Sequence, residues 1–82
     1  MPVNDLDVRG LKCPLPVLFA RRALARAAPG EAIALLSDDP LAAVDVPHMC
    51  HEEGHEVLAV ERRDGSIRLV LRRRGEPPPA AS

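Results

Sequence analysis

The chain has 82 residues, a net charge of −1 at pH 7 and one aromatic residue, with 46% apolar and 28% charged residues. This length suits one small domain, and the composition excludes wholesale disorder, a fibrous class and a base-stacking nucleic-acid platform. Because no apolar run approaches the ~20 residues that span a bilayer and no secretory signal opens the chain, we expect a cytoplasmic protein without membrane contact, whose two cysteines stay reduced.

The first half of the chain predicts a strand, a helix and a second strand. Leu6 and Val8 alternate with charged residues, which is typical of a short half-buried strand ending near Arg9. Residues 17–28 place apolar side chains at three- and four-residue spacings and predict an amphipathic helix. The continuous apolar run 32–36 has strand length and predicts a strand inside the sheet.

The second helix is predicted from its start and stop signals. Residues 37–40, Ser-Asp-Asp-Pro, form a helix start, since an aspartate accepts from the first free amides and a proline is tolerated in the first turn. Gly54 is expected to end the helix, and Pro47 to interrupt or kink it before that point.

A hairpin is predicted next, with strands 55–61 and 66–72 around Asp64-Gly65, a dipeptide suited to a tight turn. The last strand is apolar on one side only, because Ile67, Leu69 and Leu71 alternate with polar positions. The order β-α-β-α-β-β favours a two-layer α/β sandwich with both helices on one face of the sheet. We expect one domain over residues 4–74 and a flexible tail rich in proline and alanine over residues 75–82.

Charge is segregated along the chain although its sum is small. The first 30 residues are basic, residues 31–61 carry eight acidic and no basic side chains, and residues 62–74 carry six arginines against one aspartate. Patches of both signs can orient protein partners. Arg21, Arg22 and Arg26 lie on the first predicted helix, either as a solvated face or as a docking site together with Arg9.

Cys13 lies between the first strand and the first helix, and the prolines on its C-terminal side restrict its backbone. Pro14 disfavours helical angles at Cys13, so the thiol is expected at the helix entrance. The helix dipole, with Lys12 and Arg9 nearby, is expected to lower the thiol pKa moderately and favour the nucleophilic thiolate. Since the histidines are distant in sequence, this nucleophile is expected to lack its own general base. The alternative is a small apolar side chain that packs a turn.

The stretch Gly10-Leu11-Lys12-Cys13-Pro14-Leu15-Pro16-Val17 resembles the Cys-Pro-x-Pro motif that opens the first helix of the TusA/SirA-like sulfur carriers. The resemblance covers the chain from Leu6 to about Arg73, and the second-helix stretch is most similar to the TusA branch. Leu15 differs from the glutamate that some members carry between the prolines, which changes the charge of the docking surface.

The resemblance implies a fold and a function. The fold is a two-layer sandwich on a mixed four-stranded sheet, and the function is a sulfurtransferase in which Cys13 carries a persulfide. Gly10, Lys12, Pro14 and Pro16 would shape the loop that supports the thiol. Sulfur would come from a cysteine desulfurase or rhodanese-type donor and pass to a cysteine of an acceptor protein without any cofactor. The destination it implies most directly is 2-thiolation of the tRNA wobble uridine, with sulfur oxidation or molybdenum-cofactor metabolism as alternatives.

Two other residue patterns could indicate a different function. Four residues of the second helix region could suggest a metal site, namely His48, Cys50, His51 and His55. Gly54 separates the last two of them and Cys50 belongs to the apolar face, so we expect no metal and an inert, buried Cys50. The arginines at 72–74 could suggest RNA binding, but the net negative charge and the lack of stacking residues disfavour direct contact with nucleic acid.

Two other functions remain open from the sequence. The loop of Cys13 could be a contact surface of a regulatory or binding module without chemistry. A redox sensor is the third hypothesis, and it predicts a stable sulfenate or a bond between Cys13 and Cys50.

Overall fold

A computed structural model describes residues 4–75 of the chain. The elements in chain order are β1 (Asn4–Asp7), α1 (Leu15–Arg26), β2 (Ala32–Ser37), α2 (Ala42–Glu53), β3 (Glu56–Arg63) and β4 (Ser66–Arg72). This is the predicted order. Of the tail predicted over residues 75–82, all but Gly75 lies outside the described residues.

The four strands form one mixed sheet in the order β1-β2-β4-β3. β1 pairs with β2 in parallel, whereas β2–β4 and β3–β4 are antiparallel. Both helices pack on the same face of this sheet. The predicted fold class, a two-layer α+β sandwich with a mixed four-stranded sheet, is therefore confirmed.

The core lies between the helices and the two central strands. Leu35 of β2 is in register with Leu69 of β4, and both are fully buried beneath Leu24 of α1 and Val46 of α2. The predicted one-sided pattern of β4 is confirmed by its burial, with Ile67, Leu69 and Leu71 buried. Burial of such aliphatic side chains, at roughly 1.5–3 kcal/mol each, is the main term that holds helices and sheet together.

The helices differ from those predicted because both contain a proline, a residue with low helix propensity. α1 begins at Leu15 rather than at residue 17, with Pro16 in its first turn, where the missing N–H has no helical partner to lose. α2 runs through Pro47 without interruption, so the predicted interruption is wrong, and the kink predicted as its alternative stays a prediction. The buried face around Val46 and Met49 holds the segment helical against the local cost. Among residues 4–75, no helix is long and apolar enough to cross a membrane.

The predicted end of α2 at Gly54 and the predicted hairpin turn at Asp64-Gly65 are confirmed. Gly54 ends α2 with a φ of 81°. Asp64 and Gly65 join β3 to β4 with φ values of 28° and 83°, as a two-residue hairpin turn requires. β3 is displaced from the predicted range 55–61 and contains a bulge between Val57 and Ala59.

Candidate functional site

Cys13 lies exposed in the loop between β1 and α1, at the edge of the sheet where β1 and β2 end. Gly10 turns this loop with a φ of 88°, and its amide donates to Oδ1 of Asp38 at 3.0 Å. The amide of Leu15 donates to the carbonyl of Lys12 at 2.8 Å and closes a turn around Cys13. The predicted position of the thiol at the entrance of α1 is therefore observed.

Asp39 attaches the loop of Cys13 to the start of α2. The Cys13 amide donates to Oδ2 of Asp39 at 2.7 Å, and the amide of Leu41 donates to Oδ1 at 3.0 Å. These two amides, from Leu41 and then Cys13, lower the pKa of Asp39 because they stabilise the carboxylate. α2 begins at Ala42, after the helix start predicted at residues 37–40, and its N-cap residue Leu41 receives no side-chain cap hydrogen bond. Asp39 instead joins the amide of Leu41 to the backbone of Cys13, which the sequence did not reveal.

Asp45 is the immediate partner of the thiol. Sγ of Cys13 donates a hydrogen bond to Oδ2 of this half-buried carboxylate, with 3.2 Å between the two atoms. The hydrogen bond to Asp45 is the largest cause of a raised Cys13 pKa, and the nearby charge of Asp39 adds to it. The expectation of a lowered pKa is therefore wrong, whereas the expectation that Cys13 lacks its own general base stays a prediction.

The positive charges expected beside the sulfur act elsewhere. Arg9 is bound to Asp7 through Nε at 3.0 Å and Nη2 at 2.8 Å, which pairs its charge within the loop. Lys12 is exposed. The two backbone hydrogen bonds are the larger causes of the lowered Asp39 pKa, burial opposes them, and the charge of Lys12 makes a smaller contribution that also lowers it. The N-terminal end of α1 stabilises a thiolate less than expected, because the first amide after Pro14, that of Leu15, already donates to the carbonyl of Lys12.

Exposed aliphatic side chains accompany the thiol on both helices. Leu15 is 41% exposed on α1. Leu41, the N-cap residue of α2, and Val44, the residue before Asp45, are 53% and 64% exposed. Neighbouring exposed aliphatic groups of this size are typical of a contact surface.

The three arginines of α1 differ in their surroundings. Arg21 is bound to Glu53 of α2 at 2.8 Å, and this ion pair crosses between the two helices. Arg22 and Arg26 are exposed. Their candidate role in docking rests on this accessibility and on sequence.

Cys50 has the opposite environment to Cys13. Its side chain is 0% exposed, and burial raises the pKa of its thiol to about 11. The expectation that it is a buried, unreactive thiol agrees with this position. Within residues 4–75, no group of three or more His, Cys, Asp or Glu side chains is arranged to hold a metal ion.

Comparison with known proteins agrees with the motif. The family model described as Sulfurtransferase TusA matches residues 4–73. Two proteins of Neisseria meningitidis, from serogroup A strain Z2491 and serogroup B strain MC58, are each 41% identical over 71 residues, which is 87% of this chain and 96% of theirs. Both are provisionally named sulfur carrier proteins. The crystal structure of a SirA-like protein from Desulfitobacterium hafniense superimposes with a TM-score of 0.77 at 25% identity, covering 88% of this chain and 99% of that one.

Proposed function

Because this chain belongs to the TusA family of sulfurtransferases, we propose that Cys13 is the residue on which it carries sulfur, as a persulfide. The observation that carries this proposal is the contrast between the two thiols, since Cys13 is exposed and Cys50 is buried. A relay between proteins needs a sulfur atom that the reactive cysteine of another protein can reach.

The transfer is an exchange between sulfur atoms that needs no cofactor. The Cys13 sulfur attacks the terminal sulfur of a persulfide on the donor, a new S–S bond forms, and the donor's own S–S bond breaks. The donor cysteine leaves as a thiolate and takes up the proton that Cys13 gives up. In the second half of the cycle the acceptor cysteine attacks the terminal sulfur on Cys13 in the same way. No net oxidation occurs in either step.

The donor is a cysteine desulfurase or a rhodanese-type protein, and the acceptor is a protein cysteine of a downstream relay. The exposed side chains of Leu15, Leu41 and Val44 support such contacts, because they give a partner apolar surface beside the thiol. Gly10, Lys12, Pro14 and Pro16 support the thiol by shaping its loop. The destination is 2-thiolation of the tRNA wobble uridine in the cytoplasm, with sulfur oxidation or molybdenum-cofactor metabolism as the competing pathways. Contact with the tRNA is left to the acceptor.

Mass measurement of the intact protein tests the proposal. Incubation with a cysteine desulfurase and free cysteine should add one sulfur to the wild type and to Cys50→Ser, and none to Cys13→Ser. The adduct should disappear when a reducing agent is added, as a persulfide does. Absence of an adduct on the wild type with both a desulfurase and a persulfidated rhodanese would favour a binding module without chemistry.

A further inference from the structure

The hydrogen bond between Cys13 and Asp45 selects one protonation state of the sulfur. Sγ lies 3.2 Å from Oδ2 of Asp45, and an ionised carboxylate accepts hydrogen bonds but cannot donate them. The thiol satisfies this contact, whereas a thiolate would place two anions side by side. The contact therefore stabilises the form of Cys13 that does not react.

Few other charges face the thiol. The acidic groups that act on it come from α2 and from the loop before α2, namely Asp45 and Asp39, and the adjacent basic group is Lys12. Two arginines of the loop and of α1 are bound to carboxylates of their own, Arg9 to Asp7 and Arg21 to Glu53. Within the described residues, no basic side chain hydrogen-bonds to Asp45 to offset its effect on Cys13.

Docking of a partner at Cys13 removes the Asp45 carboxylate from water. Transfer requires the reactive sulfur of a partner to reach bonding distance of Sγ, so the partner must also cover the carboxylate that touches Sγ. Because Leu41 and Val44 are exposed near Asp45 in the chain, a partner that covers the carboxylate also meets apolar surface there. A carboxylate removed from water without a partner of opposite charge is strongly unfavourable. Productive docking therefore needs a cation at this position.

We propose that Asp45 holds the proton on Sγ of Cys13 in the free carrier, and that a docking partner releases the thiolate by placing a lysine or arginine side chain against the Asp45 carboxylate. This inference rests on the proposed function for its second half, because only a sulfur relay requires partners at Cys13. The proton leaves Sγ for the donor cysteine, whose S–S bond breaks in the same exchange, so protons and electrons balance. Asp45 acts through Cys13 and is a positioning residue.

The first test measures how fast iodoacetamide alkylates Cys13 as a function of pH. Asp45→Asn removes the charge that opposes the thiolate, and Asp45→Lys puts a cation in its place, as the proposed partner would. We expect the neutral-pH rate to rise severalfold from wild type to Asn and further to Lys, with the pH profile displaced to lower pH. The lower intrinsic nucleophilicity of a less basic thiolate offsets only about half of the gain.

The control for this test is Glu52→Gln, which removes a carboxylate of α2 that lies 3.4 Å from His48. Its profile should coincide with that of the wild type. A purely structural role of Asp45 would lower the melting temperature of both Asp45 variants without moving the profile. An unchanged profile, or one displaced to higher pH, would overturn the proposal.

The second test measures the initial rate at which a cysteine desulfurase with free cysteine loads sulfur onto the same proteins. We expect loading to become slower in Asp45→Asn and slowest in Asp45→Lys, although both are alkylated faster. Loading that rises in parallel with alkylation would overturn the partner cation. A wild type that no donor loads, with the alkylation series intact, would refute the sulfur relay and leave the effect of Asp45 on the thiol established.

Discussion

The carboxylate of Asp39 holds the amide of Cys13 at 2.7 Å, across 26 residues of chain. Its other oxygen accepts from Leu41 at the start of α2, so one side chain fixes both the reactive loop and the helix that carries Asp45. The position of the thiol relative to Asp45 therefore depends on Asp39.

Replacement of Asp39 should disturb the site more than replacement of its neighbour. Asp39→Ala leaves two backbone amides without acceptors, whereas Asp38→Ala frees only the amide of Gly10 in an exposed part of the loop. We expect Asp39→Ala to lower the melting temperature further and to slow sulfur loading severalfold. Thermal unfolding and loading rates check this, and equal effects of the two variants would show that Asp39 does not organise the loop.

Stability should fall in acid through two carboxylates. The side-chain hydrogen bond from Arg9 lowers the pKa of Asp7 from 3.8 to about 2, and the amides of Leu41 and Cys13 lower that of Asp39. For Asp7, the unfolded chain binds more protons than the folded one between pH 3.8 and about 2, so its contribution is complete above 3.8 and is lost as the pH falls toward about 2. The contribution of Asp39 is lost in the same direction, because its pKa is also lower in the folded chain. Melting temperatures measured from about pH 6 to about pH 2 report this loss of stability. Asp7→Asn should show a shallower decline than the wild type.

Cys50 should matter for stability and not for transfer. Its thiol is buried with a pKa of about 11, so iodoacetamide should modify only Cys13 in the folded protein and reach Cys50 on unfolding. Cys50→Ser places a hydroxyl in an apolar environment, and we expect a loss of about 1–3 kcal/mol in the free energy of unfolding. Cys13→Ser is the exposed counterpart and should change stability by less than about 0.5 kcal/mol. Modification of both cysteines at equal rates in the folded state would contradict this.

Gly10 and Gly30 form a matched pair for testing the loop of Cys13. Both have left-handed backbone angles, with φ values of 88° and 83°, and a Cβ at either would meet no atom within 4 Å. Alanine at each should therefore cost the same backbone strain, about 1–2 kcal/mol. Because only Gly10 lies in the loop of Cys13, only Gly10→Ala should also slow sulfur loading. Equal loading by the two variants would show that the conformation of this loop is not needed for transfer.

The arginines of α1 can be separated by their effects on docking. Arg21→Ala breaks an exposed ion pair with Glu53 and should cost no more than about 1 kcal/mol of stability. Arg22→Ala should leave stability unchanged. If this face binds a donor, both variants should raise the donor concentration needed for half-maximal loading, and high salt should reproduce the effect in the wild type. Loading that is insensitive to salt and to both substitutions would make the arginines a solvated face.

Much of the fold could be predicted because its signals are local. The alternation in β4 and the Asp64-Gly65 turn specify the hairpin over a few residues, and glycine at 54 specifies the end of α2. Pro47 misled the prediction of α2, since a residue's local preference carries no information about the core on which its helix packs. The beginning of α1 was displaced for a related reason, because proline is compatible with a first turn as well as with a loop.

The sequence alone determined the order of the elements, the side of the last strand that is buried, and the place of Cys13 at the mouth of α1. Those features follow from the two- and 3.6-residue periods and from the backbone limits of proline and glycine. Only the tertiary structure decided which side chain the thiol contacts, because Asp45 lies 32 residues further along the chain and reaches Sγ only when α2 packs beside α1. The local sequence places Cys13 at the N-terminal end of α1, where the helix dipole is positive. Folding then brings the carboxylate of Asp45 into direct contact with Sγ.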